Sequence, residues 1–210
     1  MTSDKTYWDN IASQYDCHTK KFSKIYNRII KLIQNEILKD SYVLDIGTGT
    51  GEIPLSICRD ANKIEAIDYS EKMINIALEK ANKQGIDNVT FRTYDGIQLP
   101  YQDKTFDIVI MANLLHVIHS PGKILNEAFR VLKDRGKIIV PCYLHNDSLR
   151  TKCISWILKQ KGHPIYTRFN SKSLKEFIEQ NRFKITNQTY LKGIMPVSFI
   201  VAEKAIKQCC

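Results

Sequence analysis

Short apolar runs alternate with segments of helical spacing along most of this chain. The apolar runs predict five strands, at residues 43–46, 64–67, 89–93, 106–112 and 137–140. Between them, apolar residues that recur every three or four positions predict helices at residues 52–59, 70–84 and 121–135. Because strands that alternate with helices in this way form parallel sheets, we expect a parallel sheet with helices on both faces.

Both ends of the chain depart from this alternation. Helical spacing there predicts helices at residues 8–15, 22–38, 148–161 and 173–181. The last of these opens on a capping box that runs from Ser173 to Glu176. Two β-like runs, 183–190 and 196–203, close the chain, and the short glycine-containing link between them predicts antiparallel pairing.

The composition is that of an ordinary globular chain, with 43% hydrophobic and 25% charged residues among 210. No apolar run approaches the roughly 20 residues that cross a bilayer, and the polar N-terminus lacks the apolar core of a secretory signal. We therefore predict a cytoplasmic protein with no transmembrane segment. The six cysteines form no C-x-x-C pair, which indicates reduced thiols, and we interpret the Cys209-Cys210 ending as a frayed tail rather than a lipidation site.

The formal net charge of +9 brings an anionic partner into consideration. The densest basic cluster lies on one predicted helix and comprises Lys20, Lys21, Lys24, Arg28 and Lys31. Such a cluster is either a solvated helix face or a surface for nucleic acid or a membrane. Because lysines are spread along the rest of the chain, we favour the solvated face and keep nucleic acid as the second alternative.

Three glycines, Gly47, Gly49 and Gly51, stand at alternate positions directly after the first predicted strand. Alternating glycine suits neither a strand nor a helix interior, so close approach to the backbone is the better explanation. A glycine-rich turn at this place in a doubly wound fold cradles a ligand. The dinucleotide pattern G-x-G-x-x-G would need a third glycine where Glu52 stands, and an acid there disfavours a pyrophosphate and hence an NAD-dependent dehydrogenase.

Four segments in order resemble the motifs of class I S-adenosylmethionine-dependent methyltransferases. They are VLDIGTGTGEIPLSI, IEAIDYSEKMINIA, TYDGIQLPYQDKTFDIVIMANLLHVI and EAFRVLKDRGKIIV. The cofactor of that family, S-adenosylmethionine, carries a sulfonium and an ammonium but no phosphate, which agrees with the acid at Glu52. The resemblance covers about residues 5–145 well and the last two strands in outline.

The resemblance implies both a fold and a division of the chain. The fold is a Rossmann-like, doubly wound α/β fold in three α/β/α layers, with a seven-stranded, mostly parallel sheet whose last strand is antiparallel. Residues 1–40 would form an N-terminal helical lid, and residues 41–210 would form the cofactor-binding methyltransferase domain.

The resemblance also implies cofactor contacts, residue by residue. Asp45, at the end of the first strand, would hold the methionine ammonium, and Asp68, 23 positions later, would accept hydrogen bonds from the ribose hydroxyls. Asp95 would accept a hydrogen bond from the adenine amino group. The other residues implied to line the cofactor are Gly47, Thr48, Gly49, Gly51, Tyr69, Met73, Gly96, Ile97 and Asn113. The plain alternatives are a strand-end acid for Asp45, a simple turn for Asp95 and helix core for Met73.

Two residues are candidates for the catalytic step. His116, in NLLHVI after the fourth strand, matches a position that is often near the acceptor, and an imidazole suits a general base at neutral pH. A structural histidine is the alternative. Tyr15, in YWDNIASQYD, would help to close the lid over the methyl group and exclude water. The weaker candidates are His18, Tyr143, His145 and His163, and no metal site is expected.

These observations lead to one function hypothesis and two alternatives. The lid and the fourth-strand segment resemble the broad group that includes quinone-biosynthesis C-methyltransferases and amine or phospholipid N-methyltransferases. We predict methyl transfer to an N, O or C atom of a small-molecule acceptor by in-line displacement. The alternatives are an RNA methyltransferase, which the charge of +9 motivates, and a catalytically silent S-adenosylmethionine-binding module. The N-P-P-Y motif used to methylate base amino groups is replaced by Ala112-Asn113-Leu114-Leu115, which counts against adenine N6 chemistry. The identity of the acceptor and the oligomeric state leave no mark in the sequence.

Overall fold

The computed structural model describes residues 2–20 and 23–205. The chain forms two compact units, Met1–Leu99 and Pro100–Cys210. The first unit contains α1 (Thr2–Lys20), α2 (Ser23–Gln34), β1 (Tyr42–Ile46), α3 (Glu52–Ile57), β2 (Lys63–Asp68), α4 (Glu71–Gln84) and β3 (Val89–Thr93). The second contains β4 (Phe106–Ile110), α5 (Pro121–Val131), β5 (Leu132–Tyr143), α6 (Leu149–Gln160), α7 (Ser171–Gln180), β6 (Phe183–Leu191) and β7 (Val197–Lys204).

Within the described residues, seven strands form one sheet in the order β3-β2-β1-β4-β5-β7-β6. The pairs β1–β2, β2–β3 and β4–β5 are parallel, whereas β7 pairs antiparallel with both β5 and β6. The predicted Rossmann-like sheet, mostly parallel with an antiparallel last strand, is therefore confirmed. The antiparallel pairing of the two closing runs is confirmed with it.

In the first unit, helix α4 begins and ends at residues that favour helix caps. The Ser70 hydroxyl caps α4 by accepting a hydrogen bond from the Met73 N–H group at 3.2 Å. Gly85 ends the same helix in the left-handed conformation, with φ of 64°. The two caps set the bounds of α4, and its buried face carries Ile74 and Ala77.

The boundary between α5 and β5 differs from the prediction. We expected Gly136 to stop the helix and the strand to begin at Lys137, but the helix ends at Val131 and β5 already includes Gly136. A Cβ atom on Gly136 would lie 3.1 Å from the Asp107 carbonyl oxygen of β4. The register of β4 against β5 shifts in the same region, so this glycine serves an irregular strand pair and not a helix end.

The start of α7 was also predicted wrongly. Asn170, not Ser173, is the N-cap residue, because its Oδ1 atom accepts a hydrogen bond from the Ser173 N–H group at 2.8 Å. The Ser173 hydroxyl in turn accepts from the Asn170 N–H group at 3.0 Å. Ser173 therefore occupies the third position of the capping box and not the first.

The N-terminal segment is more helical than its apolar spacing predicted. α1 extends over 19 residues, although only Ala12 of its described side chains is buried. The lid role of residues 1–40 stays a prediction. Part of the Lys20–Lys31 cluster and the Cys209-Cys210 ending lie outside the described residues. Across the residues that the structure describes, no helix combines the length and the apolar run needed to cross a membrane.

Candidate functional site

The turn between β1 and α3 holds all three alternating glycines in the left-handed region. The φ angles are 75° at Gly47, 55° at Gly49 and 80° at Gly51. The N–H groups of Gly47 and Thr48 both donate to the Ile67 carbonyl, at 2.8 and 2.9 Å, and so tie the turn to β2. The alternation of glycine therefore satisfies a backbone conformation that side-chain-bearing residues rarely adopt.

Gly49 and Gly51 also lie where a side chain would meet other parts of the unit. A Cβ atom on Gly51 would stand 2.9 Å from the Ala77 Cβ atom and 3.0 Å from the Phe91 ring. A Cβ atom on Gly49 would stand 3.6 Å from the ring of Tyr15. Gly51 is thus required by packing on α4 and β3, while the predicted catalytic residue Tyr15 lies beside Gly49.

Asp45 is a buried carboxylate at the end of β1, with an exposure of 1%. Neither of its oxygens has a hydrogen-bond partner among the described residues. The pKa of Asp45 is raised from 3.8 to about 7, chiefly by burial. The nearby Thr48 hydroxyl lowers this pKa in part, although it does not reach hydrogen-bond geometry, and the charge of Asp68 raises it. Since an unpaired buried charge is strongly unfavourable, this carboxylate is suited to a cationic or hydrogen-bond-donating ligand.

Asp68, the last residue of β2, connects the glycine turn to the start of α4. One carboxylate oxygen accepts from the Gly49 N–H group and the other from the Ser70 N–H group, both at 2.9 Å. Burial raises the pKa of Asp68 to about 6, against the lowering effect of these backbone donors. Because each carboxylate oxygen can accept a second hydrogen bond, Asp68 retains acceptor capacity for ligand hydroxyls.

The remaining predicted cofactor residues of this unit occupy two places. Tyr69 is half-buried, while Met73 is 1% exposed in the first turn of α4, where its side chain belongs to the core. Asp95 is exposed and accepts from the Ile97 N–H group at 2.9 Å, and Gly96 between them has φ of 73°. Asp95 therefore closes a turn, and its contact with adenine stays a prediction.

Helix α1 is connected by polar contacts to the turn and to α4. Asp16 accepts a hydrogen bond from the Thr50 hydroxyl at 2.6 Å and pairs with the Lys80 ammonium at 2.6 Å. Lys80 also donates to the Thr50 carbonyl at 3.1 Å. About two helical turns earlier in α1, Asp9 accepts a hydrogen bond from the Ser70 hydroxyl at 2.6 Å. We call these contacts the α1 latch.

In the second unit, polar side chains follow the carboxyl ends of β4 and β5. Asn113 has φ of 53°, donates its N–H group to the Pro141 carbonyl at 2.7 Å, and has a buried Oδ1 atom without a partner in the described chain. His116 is 3% exposed, and its Nδ1 atom lies 3.6 Å from the Cys142 sulfur. Ligands of open α/β sheets bind at this end of the strands.

The ring of His116 lies near two other rings, those of Tyr143 and His145. We call these three residues the histidine cluster. The His116 ring centroid lies 4.7 Å from that of His145 and 6.2 Å from that of Tyr143. His145 is 2% exposed, and neither of its ring nitrogens has a hydrogen-bond partner among the described residues. Two buried nitrogens of this kind can bind a ligand that both donates and accepts hydrogen bonds.

The histidine cluster is uncharged at neutral pH. Burial, reinforced by His145 and His163, holds the pKa of His116 well below 6.5. Burial lowers the pKa of His145 to about 4 and raises the pKa of Tyr143 to about 12. His116 is therefore a neutral imidazole but a weaker base than the sequence-based argument from an ordinary histidine pKa assumed.

The weaker candidates behave differently from one another. His163 is partly buried, with its pKa lowered by burial. A further histidine, His119, is exposed, and its ring lies on Tyr166 with centroids 3.6 Å apart. The side chain of His18 lies outside the described part of the chain.

Comparison with known proteins identifies the family. The methyltransferase domain family matches residues 37–184. The chain belongs to this family. The class I S-adenosylmethionine-dependent methyltransferase resemblance seen in the sequence is thereby confirmed, and so is S-adenosylmethionine as the cofactor.

Individual relatives of this methyltransferase-family chain are moderately similar. It is 28% identical over 149 residues to a demethylmenaquinone methyltransferase of Tropheryma whipplei, covering 61% of each chain. It is 34% identical over 189 residues to an uncharacterised protein of Methanocaldococcus jannaschii, covering 87% of this chain and 64% of that one. A solved S-adenosylmethionine-dependent methyltransferase of Aquifex aeolicus has a TM-score of 0.67 and 25% identity, covering 83% and 88% of the two chains. The matched region thus spans less than two thirds of the length of the Tropheryma whipplei and Methanocaldococcus jannaschii proteins.

The residues of the first unit fit the cofactor of the family. The unpartnered Asp45 oxygens suit a ligand ammonium, and the free acceptor capacity of Asp68 suits ribose hydroxyls. The buried carboxylates of Asp45 and Asp68 lie close enough that the charge of Asp68 raises the pKa of Asp45, and together they would repel a phosphate. The donor set therefore matches S-adenosylmethionine better than a dinucleotide.

Sequence-based reasoning missed the α1 latch. Asp9 and Asp16 are seven positions apart and so lie on the same face of a helix as buried Ala12. This spacing was a readable signal for a polar contact face. No comparable signal identified Lys80 or Thr50 as its partners, because they come from other elements of the unit.

Proposed function

We propose that this chain transfers a methyl group from S-adenosylmethionine to an uncharged small-molecule acceptor. Membership of the methyltransferase domain family supports the reaction class. When bound, S-adenosylmethionine would supply an electrophilic methyl carbon: the acceptor nucleophile would bond to that carbon in line as the carbon–sulfur bond breaks, and the sulfonium would leave as a neutral thioether. The observation that carries the proposal is the buried Asp45 carboxylate beside the glycine turn, whose two oxygens have no partner in the described residues.

Asp45 and Asp68 divide the work of cofactor binding. Asp45 pairs with the cofactor ammonium, because its raised pKa of about 7 reports an unsatisfied carboxylate in a buried place. Asp68 holds Gly49 through the backbone N–H group and offers its remaining lone pairs to ribose hydroxyls. Tyr15, beside Gly49, covers the turn from the side of α1 and excludes water.

We propose the histidine cluster as the acceptor site of the second unit. Its two histidine rings are buried and uncharged, and the two unpartnered nitrogens of His145 match a planar molecule with hydroxyl and carbonyl groups. An amine acceptor that stays protonated would find no compensating charge in this cluster. The similarity to a demethylmenaquinone methyltransferase supports a quinone-like or phenolic acceptor.

His116 is the proton acceptor in this proposal. Its imidazole is neutral at physiological pH, and its Nδ1 atom faces the Cys142 sulfur, which leaves Nε2 for the acceptor hydroxyl. Burial raises the pKa of Cys142 to about 12, so that sulfur stays a neutral thiol and cannot supply the negative charge that would strengthen His116 as a base. His116 is therefore suited to acidic hydroxyls such as those of phenols and hydroxyquinones.

The test is methyl transfer from methyl-labelled S-adenosylmethionine to a panel of phenols and hydroxyquinones. We expect His116→Ala to lower the turnover number by about 100-fold, as for loss of a general base, with cofactor affinity in calorimetry unchanged. His119→Ala, a change at an exposed histidine, is the matched control and should retain full turnover. Equal turnover of His116→Ala and wild type would remove His116 from the mechanism, and failure of the wild type to bind the cofactor would overturn the proposed function.

A further inference from the structure

The two most buried residues of α6 are small and polar, whereas three of its large apolar side chains are exposed. Thr151 and Ser155 are 2% and 0% exposed, but Leu149, Trp156 and Ile157 are 84%, 58% and 42% exposed. We call the three exposed residues the apolar strip. A surface helix normally turns its large apolar side chains to the core, so three exposed ones on one side of α6 indicate a surface that another body covers.

Basic side chains flank the apolar strip on both sides. With about 100° between successive helical residues, two of them fall on one edge of the strip and two on the other. This basic rim consists of Lys152 and Lys159 on the first edge and Arg150 and Lys161 on the second, all exposed. Residues 148–175 contain no aspartate or glutamate. The acid that precedes them, Asp147, accepts a hydrogen bond from the Tyr190 hydroxyl at 2.7 Å.

Other exposed apolar residues lie in the same part of the second unit. Ile194, in the turn between β6 and β7, is 59% exposed, and Tyr166, shortly after α6, is 42% exposed. A backbone hydrogen bond of 2.9 Å from Leu144 to Pro196 ties that turn to the segment that leads into α6. Six of the eight exposed large apolar side chains in the described residues lie between residues 149 and 194, so the exposure is concentrated and not scattered.

We propose that α6 docks on an anionic bilayer surface, with the apolar strip in the headgroup–acyl boundary and the basic rim among the lipid phosphates. Trp and Leu on one side of a helix with Lys and Arg at its edges are the features of helices that lie in a membrane interface. Anionic headgroups attract such a rim, and a tryptophan in the strip favours the interface depth. This inference does not depend on the proposed activity.

Charge favours a bilayer over a second copy of this chain. A two-fold symmetric contact through α6 would place each basic rim against its own copy, with no acid in residues 148–175 to compensate. A bilayer that contains anionic lipid offers both an apolar layer and negative charge at the spacing that the strip and rim need. Self-association through α6 is therefore an outcome that the test must detect.

Vesicle sedimentation with the full chain tests the proposal. We expect the wild type to bind phosphatidylcholine vesicles that contain about one third phosphatidylglycerol at least roughly fivefold more than pure phosphatidylcholine vesicles, and high salt to reduce the difference. The combined variant Leu149→Gln, Trp156→Gln and Ile157→Gln should reduce binding by at least about fivefold. A second variant, Lys152→Gln with Lys159→Gln, should reduce binding to anionic vesicles only.

The matched control changes exposed leucines elsewhere in the chain. Leu38→Gln with Leu78→Gln alters side chains that are 70% and 39% exposed in the first unit, and it should bind vesicles like the wild type. Circular dichroism melting curves test whether each variant is folded. Absence of wild-type sedimentation, or equal loss in the control variant, overturns the proposal. A wild-type dimer that the α6 variant converts to a monomer in size-exclusion chromatography overturns it in favour of self-association.

Tryptophan fluorescence locates the contact. The chain has two tryptophans, Trp8 and Trp156, so Trp8→Phe leaves Trp156 as the single reporter. We expect a blue shift of Trp156 emission on anionic vesicles and quenching by lipids brominated near the headgroup end of the acyl chains. An unchanged spectrum in the presence of sedimenting vesicles contradicts docking through α6.

Discussion

At the scale of single residues, Asp45 joins binding to stability. Its carboxylate is buried and unpaired in the described chain, and its pKa is raised to about 7. Between about pH 4 and 7 the folded protein holds a proton that the unfolded chain releases, so the free energy of unfolding falls as pH rises through this window. A group that we propose to bind the cofactor thus destabilises the free protein at neutral pH.

The substitution Asp45→Asn separates these two effects. We expect the free variant to be more stable than the wild type at about pH 8, by up to about 4 kcal/mol because each pKa unit corresponds to about 1.4 kcal/mol, and nearly equal to it at about pH 4. Cofactor affinity should fall at least roughly tenfold, since the amide offers no charge to the ammonium. Denaturant unfolding at the two pH values and calorimetry with S-adenosylmethionine measure both quantities.

The exposed acid Asp40 provides the control for this experiment. Asp40→Asn should leave the cofactor affinity and the overall stability near those of the wild type, because Asp40 lies at the surface. Unchanged binding in Asp45→Asn, or a variant that is less stable than the wild type at both pH values, contradicts the role given to Asp45.

The residue scale also shows where sequence-based prediction stops. The pattern identified Asp45 and Asp68 as strand-end acids, and the structure adds that one is unpaired while the other is held by two backbone donors. That difference comes from the path of the glycine turn, which no spacing rule describes. Similarly, the ordinary pKa of histidine suited His116 for base catalysis, but burial beside His145 lowers its pKa.

At the scale of elements, the α1 latch decides how firmly the first helix lies on the glycine turn. The Asp16 carboxylate contacts both the Thr50 hydroxyl and the Lys80 ammonium, and Lys80 also contacts the Thr50 carbonyl. Apart from Ala12, the described side chains of α1 are not buried, so polar contacts are a large part of what holds this helix. The latch is therefore a point at which the closure of the predicted lid can be changed.

Breaking the latch should loosen α1 while leaving the fold intact. We expect Asp16→Ala to speed amide hydrogen exchange in α1 by about fivefold, because a partly exposed ion pair contributes at most about 1 kcal/mol. Exchange in α4 and in the strands should stay as in the wild type. Mass spectrometry of hydrogen exchange on peptic fragments measures this, with Asp40→Ala as the exposed-acid control. Uniform acceleration over the whole chain, or none in α1, would count against the latch.

Elements were predictable where local rules decide them, and less so where distant residues do. Ser70 and Gly85 delimit α4 as expected, because caps act within a few positions. Gly136 was misassigned because its neighbours include the Asp107 carbonyl of another strand. Asn170 was overlooked because Ser173 also fits a capping box, and only the observed hydrogen bonds distinguish the two.

At the scale of the whole molecule, the alternation of strands and helices was sufficient for the architecture. The order β3-β2-β1-β4-β5-β7-β6, with β7 antiparallel, follows from parallel crossover connections and one closing hairpin. The residues that we propose to bind the acceptor were less accessible to prediction. His145 follows β5 in a segment without a recognisable motif, and only its buried, unpartnered nitrogens single it out.

The distribution of basic residues bears on the choice between a small-molecule acceptor and RNA, which the sequence left open. The chain has 31 Lys and Arg residues against 22 Asp and Glu, but many are paired, as Lys104 is with Asp134 and Lys133 with Asp107. In the described residues of the second unit, the basic rim of α6 is exposed beside an apolar strip, which suits lipid or nucleic-acid phosphates. RNA should therefore be held only through its backbone charge.

Binding of RNA is thus expected to be non-specific and catalytically silent. With about four phosphate contacts, affinity for single-stranded RNA should fall by about 50-fold between about 50 and 200 mM salt, equally for unrelated sequences. No label from methyl-labelled S-adenosylmethionine should enter total RNA under conditions in which a phenolic acceptor is methylated. Filter binding and scintillation counting measure the two quantities. Label that enters RNA at one defined position, with affinity that resists salt, would replace the small-molecule proposal by an RNA methyltransferase, because charge alone selects no nucleotide.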